Sequence, residues 1–338
     1  MKAKSLKGNS PEEIKTALEQ SMADGFQPTL AFVFISIKQD IDAVSNLLDS
    51  LGIQVFGATS SGEFIDGDIS TGGIAVLLMD INPANFEILL HDYRDKEPVA
   101  VATEMASKAK ERFKNPTIIL STSFYTRGEM EALLGDQLIR TIESVAGKET
   151  IVWGGRAGDD FIFDESVVFT NHLSTKRGII MLVFDGDKIV ATGEAASGQK
   201  PVGTEKVITK AVGNWIYEID NKPAAEMVLK YLGLNLSQEE AETFNPSGMG
   251  IAFSVSRDKG AAVIRGVGTF NWGDKSVAIL GSIHEGDKVR FTLPPDFEVV
   301  EEVRINAEKI QHDEMPEADA LLMFSCIGRL TQFGPLAG

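Results

Sequence analysis

The sequence predicts an α/β protein of mixed α+β type: duplicated β-α-β-β units with mixed sheets covered by helices, followed by a second α/β domain. Three observations lead there. A length of 338 residues corresponds to about two domains at roughly 150 residues each. Apolar runs of strand length alternate with amphipathic stretches of helix length. A glycine-rich stretch, Phe56-Gly57-Ala58-Thr59-Ser60-Ser61-Gly62-Glu63-Phe64, has a relative in Trp153-Gly154-Gly155-Arg156-Ala157-Gly158-Asp159-Asp160-Phe161. Each follows a β-like run, frees the backbone to turn, and ends in an acid.

Ser10-Pro11-Glu12-Glu13 opens a helix, with a capping hydroxyl, a proline in the first turn and acids at its positive end; it stops by Gly25. Leu30 to Ile37 is a buried strand by composition, and Asp40 to Leu51 a helix closed by Gly52. After the first glycine stretch come strands at Gly73–Met79 and Phe86–His91, an Asn-Pro-Ala-Asn turn between them, and a helix over Val99–Phe113.

The order then repeats: a strand at Thr117–Ser121, a helix over Glu129–Val145, the second glycine stretch, and strands at Ile179–Phe184 and Lys188–Gly193. Gly73 to Asp80 lies over Gly178 to Asp185 at an offset of 178 − 73 = 105, and Thr29-Leu30-Ala31 over Thr117-Ile118-Ile119 at 117 − 29 = 88. These landmarks divide residues 10–215 into repeats at about 28–113 and 116–212. Beyond a boundary near Trp215–Pro223, residues 216–338 form the second domain. Its expected elements are a helix over Ala224–Leu232 closed by Gly233 and a short helix near Ser237–Thr243. Strands follow near Ile251–Val255, Ala262–Val267, Val277–Leu280 and Val289–Leu293, then a helix from Phe297 to His312. A last strand, Ala320–Phe324, reads as the start of a further unit.

Composition excludes several classes. Lysine plus arginine total 32 against 49 acids, a net charge of −17, which disfavours nucleic acid and anionic membrane surfaces. Cys326 is the sole cysteine, so neither an intrachain disulfide nor a thiolate zinc site can form, and the histidines at 91, 172, 284 and 312 show no ligand spacing; no metal or cofactor is expected. The start of the chain lacks the apolar core of a secretory signal, and its apolar runs fall far short of the roughly 20 residues that span a bilayer. The expectation is a cytoplasmic protein without membrane insertion; the sequence is compatible with an oligomer.

The motifs Gly57-Ala-Thr-Ser-Ser-Gly-Glu63, Gly154-Gly-Arg-Ala-Gly-Asp159, Tyr217-Glu-Ile-Asp-Asn-Lys-Pro-Ala224, Glu285-Gly-Asp-Lys-Val-Arg290 and Phe324-Ser-Cys-Ile-Gly-Arg329 together resemble the FIST family of sensory proteins, with its N-terminal and C-terminal domains in order. The resemblance implies a small-ligand sensor of amino acids or similar metabolites that signals through a separate protein, with no enzymatic reaction attached. It also implies a C-terminal domain cut short after the Ser-Cys-x-Gly-Arg stretch.

An amino acid needs donors for its carboxylate and acceptors for its ammonium. Glycine turns supply backbone N–H groups, and arginine adds a two-pronged clamp. The candidate ligand groups are therefore Thr59, Ser60, Ser61, Gly62, Glu63, Ser123, Arg127, Gly155, Arg156, Gly158, Asp159 and Asp160, with Ser325, Cys326 and Arg329 from the last motif. The plainer alternative is that each glycine–acid pair braces its own turn. A hydrolase or transferase using Cys326 or a loop hydroxyl would need a base beside the nucleophile, and no histidine adjoins Cys326; a small buried apolar role suits it better. Gly266-Val-Gly268 ends in Asn271 where a dinucleotide fingerprint requires glycine. A scaffold protein would instead show an exposed apolar patch and no pocket at the loops. Trp153, Trp215, Trp272, Phe161 and Phe163 read as packing residues, and Met79 and Met181 as core.

Overall fold

A computed structural model describes the whole chain except residues 125–133, 237–239, 241–242, 245–249, 258–260 and 334–338. Contacts divide it into two units: Met1–Glu131 with Gln137–Ala191 and Glu317–Phe324, and Ala132–Asp136 with Thr192–Pro316 and Ser325–Gly338.

The first unit is a four-layer sandwich of helices, sheet, sheet and helices. Its first half runs β1 (Ala3–Gly8), α1 (Pro11–Met22), β2 (Leu30–Ser36), α2 (Ile41–Ser50), β3 (Gln54–Ser60), a short hairpin β4 (Glu63–Ile65) and β5 (Asp68–Ser70), and β6 (Ile74–Met79). The second half repeats that run with β7 (Phe86–Asp92), α3 (Pro98–Arg112), β8 (Pro116–Thr122), α4 (Leu134–Ala146), β9 (Ile151–Arg156), β10 (Val168–Phe169), β11 (Ser174–Thr175) and β12 (Gly178–Asp185). Sheet order is β1-β6-β2-β3 in one sheet and β7-β12-β8-β9 in the other, with the β10–β11 hairpin added to β3. In both sheets the last two strands of that shared order are parallel and the other neighbours antiparallel.

The ladders refine the expected repeat. Leu30 faces Met79, and Thr117 faces Phe184. With the 105-residue offset kept for β6 and β12, Leu30 corresponds to Thr117, an offset of 117 − 30 = 87 in place of the expected 88. Each repeat also starts one strand and one helix earlier, at β1 and β7. β1 escaped the sequence reading because it is an edge strand whose Lys4 and Lys7 break the apolar pattern, as lysines on free edges do.

Local chemistry accounts for the helices. Ser10 accepts the Glu13 N–H while Glu13 accepts the Asn9 N–H at 2.8 Å, a reciprocal cap on α1; Asp40 caps α2 through the Ala43 N–H. Ile14, Leu18, Val44 and Leu48 pack onto the outer face of the first sheet. The inner faces meet through Leu30, Phe32, Phe56, Phe86, Ile180, Leu182 and Phe184. The expected start of the Glu129–Val145 helix and much of the Ser237–Thr243 helix lie outside the described residues.

Two expected strands are absent. Lys188–Gly193 is not a strand, and Val190 is 76% exposed. Both edges of β12 are already taken by β7 and β8, so a hairpin partner has nowhere to pair. Ala320–Phe324 belongs to no ladder. Its alternation reports side-chain seating instead: Ala320, Leu322 and Phe324 pack on the inter-sheet core, while Leu321 and Met323 face outward. The Phe324 ring meets Phe34 edge-on at 5.9 Å.

The second unit is a closed antiparallel barrel formed by β13 (Lys200–Val212), β19 (Lys288–Leu293), β16 (Ala252–Val255), β17 (Val263–Asn271), β18 (Ser276–Ile279) and β14 (Trp215–Ile219), with β14 pairing back to β13 and the short β15 (Lys222–Pro223) on β14. Closure leaves no free edge among the six. The helix α5 (Ala224–Leu232) packs Ala224, Ala225 and Val228 on the barrel core and ends at Gly233 with φ 68°.

Candidate functional site

The glycine stretches lie deeper in the strands than a turn reading expects. Gly57 faces Val33 within the β2–β3 ladder, and Gly154 faces Leu120 within β8–β9, so the two hold the same rung of their repeats. Their purpose is close approach. A Cβ on Gly57 would come within 2.3 to 2.5 Å of three Phe169 ring carbons, and one on Gly154, at φ 150°, would stand 1.8 Å from the Leu120 carbonyl oxygen.

Both parallel pairs point their carboxyl ends at the stretch that joins the sheets. Such ends are where α/β sheets carry their ligands. The Ala157 N–H donates to the Thr122 carbonyl of the second sheet at 2.9 Å, and the next residue, Gly158, donates to the Thr59 carbonyl of the first at 2.7 Å. The chain thus crosses from sheet to sheet in one step, and the two glycine stretches converge. Thr59 Oγ1 donates to the Gly158 carbonyl at 2.6 Å and accepts the Val167 N–H at 2.9 Å. Ser61 Oγ accepts the Asp159 N–H at 3.1 Å, and a Cβ on Gly158 would stand 2.5 Å from that oxygen.

Several expected ligand groups are spent on this junction. Thr59, Glu63 and Asp159 are 1, 3 and 2% exposed. Glu63 accepts the Ser60 hydroxyl at 2.6 Å and the Gly73 N–H at 2.9 Å. Burial pushes the Glu63 carboxyl above its ordinary range, opposed by those two hydrogen bonds and aided by the nearby Asp160 charge. Asp159 accepts the Asp164 N–H at 2.8 Å. Ser123 is buried as well, exchanging hydrogen bonds with Gly178.

The remaining candidates are less deeply enclosed, although the Asp160 side chain is itself only 9% exposed. Asp160 accepts the Ser36 hydroxyl at 2.6 Å, and the mostly exposed Lys38 ammonium lies 3.4 Å from the same oxygen. Ser60, Ser61, Gly62 and Gly155 are half-buried, with the Phe324 ring against Gly155; Arg156 is exposed, its guanidinium 5.6 Å from the Phe124 ring centroid. Arg127 lies outside the described residues. Ser36 and Lys38 were missed from sequence, although a hydroxyl at a strand's carboxyl end followed by lysine is a usable signal.

The turn after the junction carries backbone strain. Asp160, Phe161 and Phe163 all have positive φ, of 55°, 64° and 55°. For bulky residues such a conformation costs on the order of 1–3 kcal/mol each and concentrates at functional segments. Phe163 and Ile162 stand 57% exposed, so Phe163 is not the packing residue the sequence suggested. Ser325 and Cys326 are exposed in the second unit, and the Arg329 guanidinium donates to the Ala196 carbonyl. The buried apolar role expected for Cys326 is therefore wrong. Among the described residues no group of three or more His, Cys, Asp or Glu is arranged to hold a metal, and no helix is long and apolar enough to cross a membrane.

The model of the FIST N domain matches residues 29–222, and that of the FIST C domain matches residues 224–337. The chain belongs to the FIST family. FIST domains are sensory domains of signal transduction, so this chain carries a sensory module. The two matches meet at 222–224, whereas the compact units change over at Ala191/Thr192. No curated protein matches the chain.

Proposed function

We propose that the chain senses an amino-acid-like metabolite bound at the carboxyl edge of β2, β3 and β9, and passes the signal to a separate protein. The observation that carries this reading is the Lys38 ammonium 3.4 Å from Asp160: a solvent-exposed side chain from this chain occupies the place a ligand ammonium would take. Arg156 lies four residues before Asp160, across the single-residue step between sheets, and supplies the opposite charge for a carboxylate. Half-buried Ser60 and Ser61 adjoin Asp160: the Ser60 carbonyl accepts the Asp160 N–H at 3.2 Å, and Ser61 Oγ, which accepts the Asp159 N–H, keeps a hydroxyl proton to donate to the ligand. Glu63 and Asp159, which the sequence offered as ammonium acceptors, serve this reading as braces, and Asp160 takes the ammonium.

Titration calorimetry against a panel of free amino acids tests it. A saturating heat with at least one member, lost when the α-carboxylate is amidated, supports the reading. Absence of binding across the panel, with the chain folded, contradicts it. Exposed Ile162 and Phe163 favour a contact with the signalling partner on the same strained turn. Replacing both by serine is expected to abolish capture of that partner while leaving amino-acid binding intact.

A further inference from the structure

A second site stands apart from that edge, on the helix-covered side of the first sheet. Between α2 and the turn that joins β10 to β11 lies a cavity of about 330 Å³ lined by Asp42, Ser45, Asn46, Asn171, His172 and Ser174 among others. Its size is at the lower end of small-molecule pockets, roughly 300–1,000 Å³.

The walls are preformed. Asn171 is locked at both ends of its amide, accepting the Val55 N–H at 2.9 Å and donating to the Ile53 carbonyl at 2.8 Å. The turn is closed by the Thr170 N–H donating to the Leu173 carbonyl at 2.8 Å. Across from it, Asp42, Ser45 and Asn46 share one face of α2 by their i, i+3, i+4 spacing. Ser45 is the anomaly. It is only 4% exposed, lines the cavity, and its hydroxyl has no hydrogen-bond partner. An unpaired buried hydroxyl is costly, and a serine on a helix ordinarily turns back to the carbonyl four residues earlier. This one does not.

We infer that this cavity binds a small neutral polyol whose hydroxyl satisfies Ser45. The lining selects that class. Asp42 disfavours anions, and the imidazole of His172 is turned to Asp49 at 3.6 Å. Serine hydroxyls and an asparagine amide offer donors and acceptors together, which is what alcohol groups require and an ammonium, donor only, does not. A carboxylate and an amide one helical turn apart can each take a hydroxyl of the same ligand.

His172 is one of four histidines in the chain and the only one lining the cavity, so its ring signals report the site directly. Carbon–proton spectra of the full chain at fixed pH, titrated with glycerol, erythritol or glucose, should move the His172 signals alone, and saturably. Ser45→Ala should weaken that response about three- to tenfold, the value of one hydrogen bond. The same variant, without polyol, should melt no lower than wild type, because it deletes an unsatisfied group. Asn46→Leu, which replaces an exposed lining amide by an apolar side chain of similar length, should weaken the response likewise by removing a hydrogen-bond partner. A linear, unsaturable drift of all four histidines, an equal response in Ser45→Ala, or saturation by ethanolamine but by no polyol would each overturn the assignment. Neither Arg156 nor Lys38 enters this test, so its failure leaves the amino-acid site untouched.

Discussion

Thr59 and Gly158 are tied twice: the Gly158 N–H donates to the Thr59 carbonyl at 2.7 Å, and the Thr59 hydroxyl donates to the Gly158 carbonyl at 2.6 Å. The same hydroxyl accepts the Val167 N–H, so one side chain fastens the end of β3 to two segments of the other repeat. Thr59→Val keeps the shape and strands a buried donor and acceptor. It is expected to cost about 2–4 kcal/mol in urea unfolding, with Thr59→Ser recovering most of it.

Glycine at 158 is required by contact, because its Cβ would press on Ser61 Oγ and the Ser61 backbone. Gly158→Ala should separate the two stretches and lose amino-acid binding together with stability. By contrast Gly67→Ala, at φ 83° in the open β4–β5 turn, should cost only about 1 kcal/mol of strain and leave binding unchanged. Parallel melts and titrations of the two variants check this.

Glu63 gives a pH signature. Its folded pKa is raised, so the folded chain holds this proton more tightly than the unfolded chain, whose value is near 4.5. Its contribution to stability is therefore present below that value and is lost as pH rises through the folded pKa, after which it stays flat. Glu63→Gln can keep both hydrogen bonds if the Ser60 hydroxyl reverses its role, and it removes the proton. The variant-minus-wild-type stability should rise over that window and then level off. Carboxylates held low, such as Asp220 under the Val207 amide, act oppositely and cancel in the difference.

The segment Glu317–Phe324 is held to the first unit by side chains. No backbone hydrogen bond from it to either sheet is present among the described residues. Its amides should exchange far faster than those of β2 or β12. Phe324→Ala should destabilise by about 1–3 kcal/mol, less than a fully buried phenylalanine would. Slow exchange comparable to the sheets would contradict this.

Much of this fold is legible in the sequence because repeats write it twice. Gly57 with Gly154, and Gly73 with Gly178, mark equivalent rungs, and caps such as Ser10 and Asp40 fix helix starts. What is hidden depends on partners. Lys188–Gly193 reads as a strand, but β12 offers it no edge; Ala320–Phe324 alternates, but by packing every second side chain on the inter-sheet core. β1 is concealed by its edge lysines, and the barrel by closure that no local pattern encodes. At the candidate site the polar residues are visible in the sequence, while their division into braces and open groups follows from burial alone. Glu63 and Asp160 differ in their partners, the Ser60 hydroxyl and Gly73 N–H for one and the Ser36 hydroxyl and Lys38 ammonium for the other, and composition carries no trace of that.

In the proposed site Lys38 holds the place of a ligand ammonium on Asp160, and Arg156 receives the carboxylate. Titration calorimetry of the amino acid that binds wild type most tightly, repeated on Arg156→Ala and Lys38→Met, tests it most directly. Arg156→Ala should weaken binding about ten- to a hundredfold, or about 1.5–3 kcal/mol, while the chain stays folded. Lys38→Met should tighten it by removing the competing ammonium. Unchanged affinity in Arg156→Ala, or weaker binding in Lys38→Met, would contradict these roles.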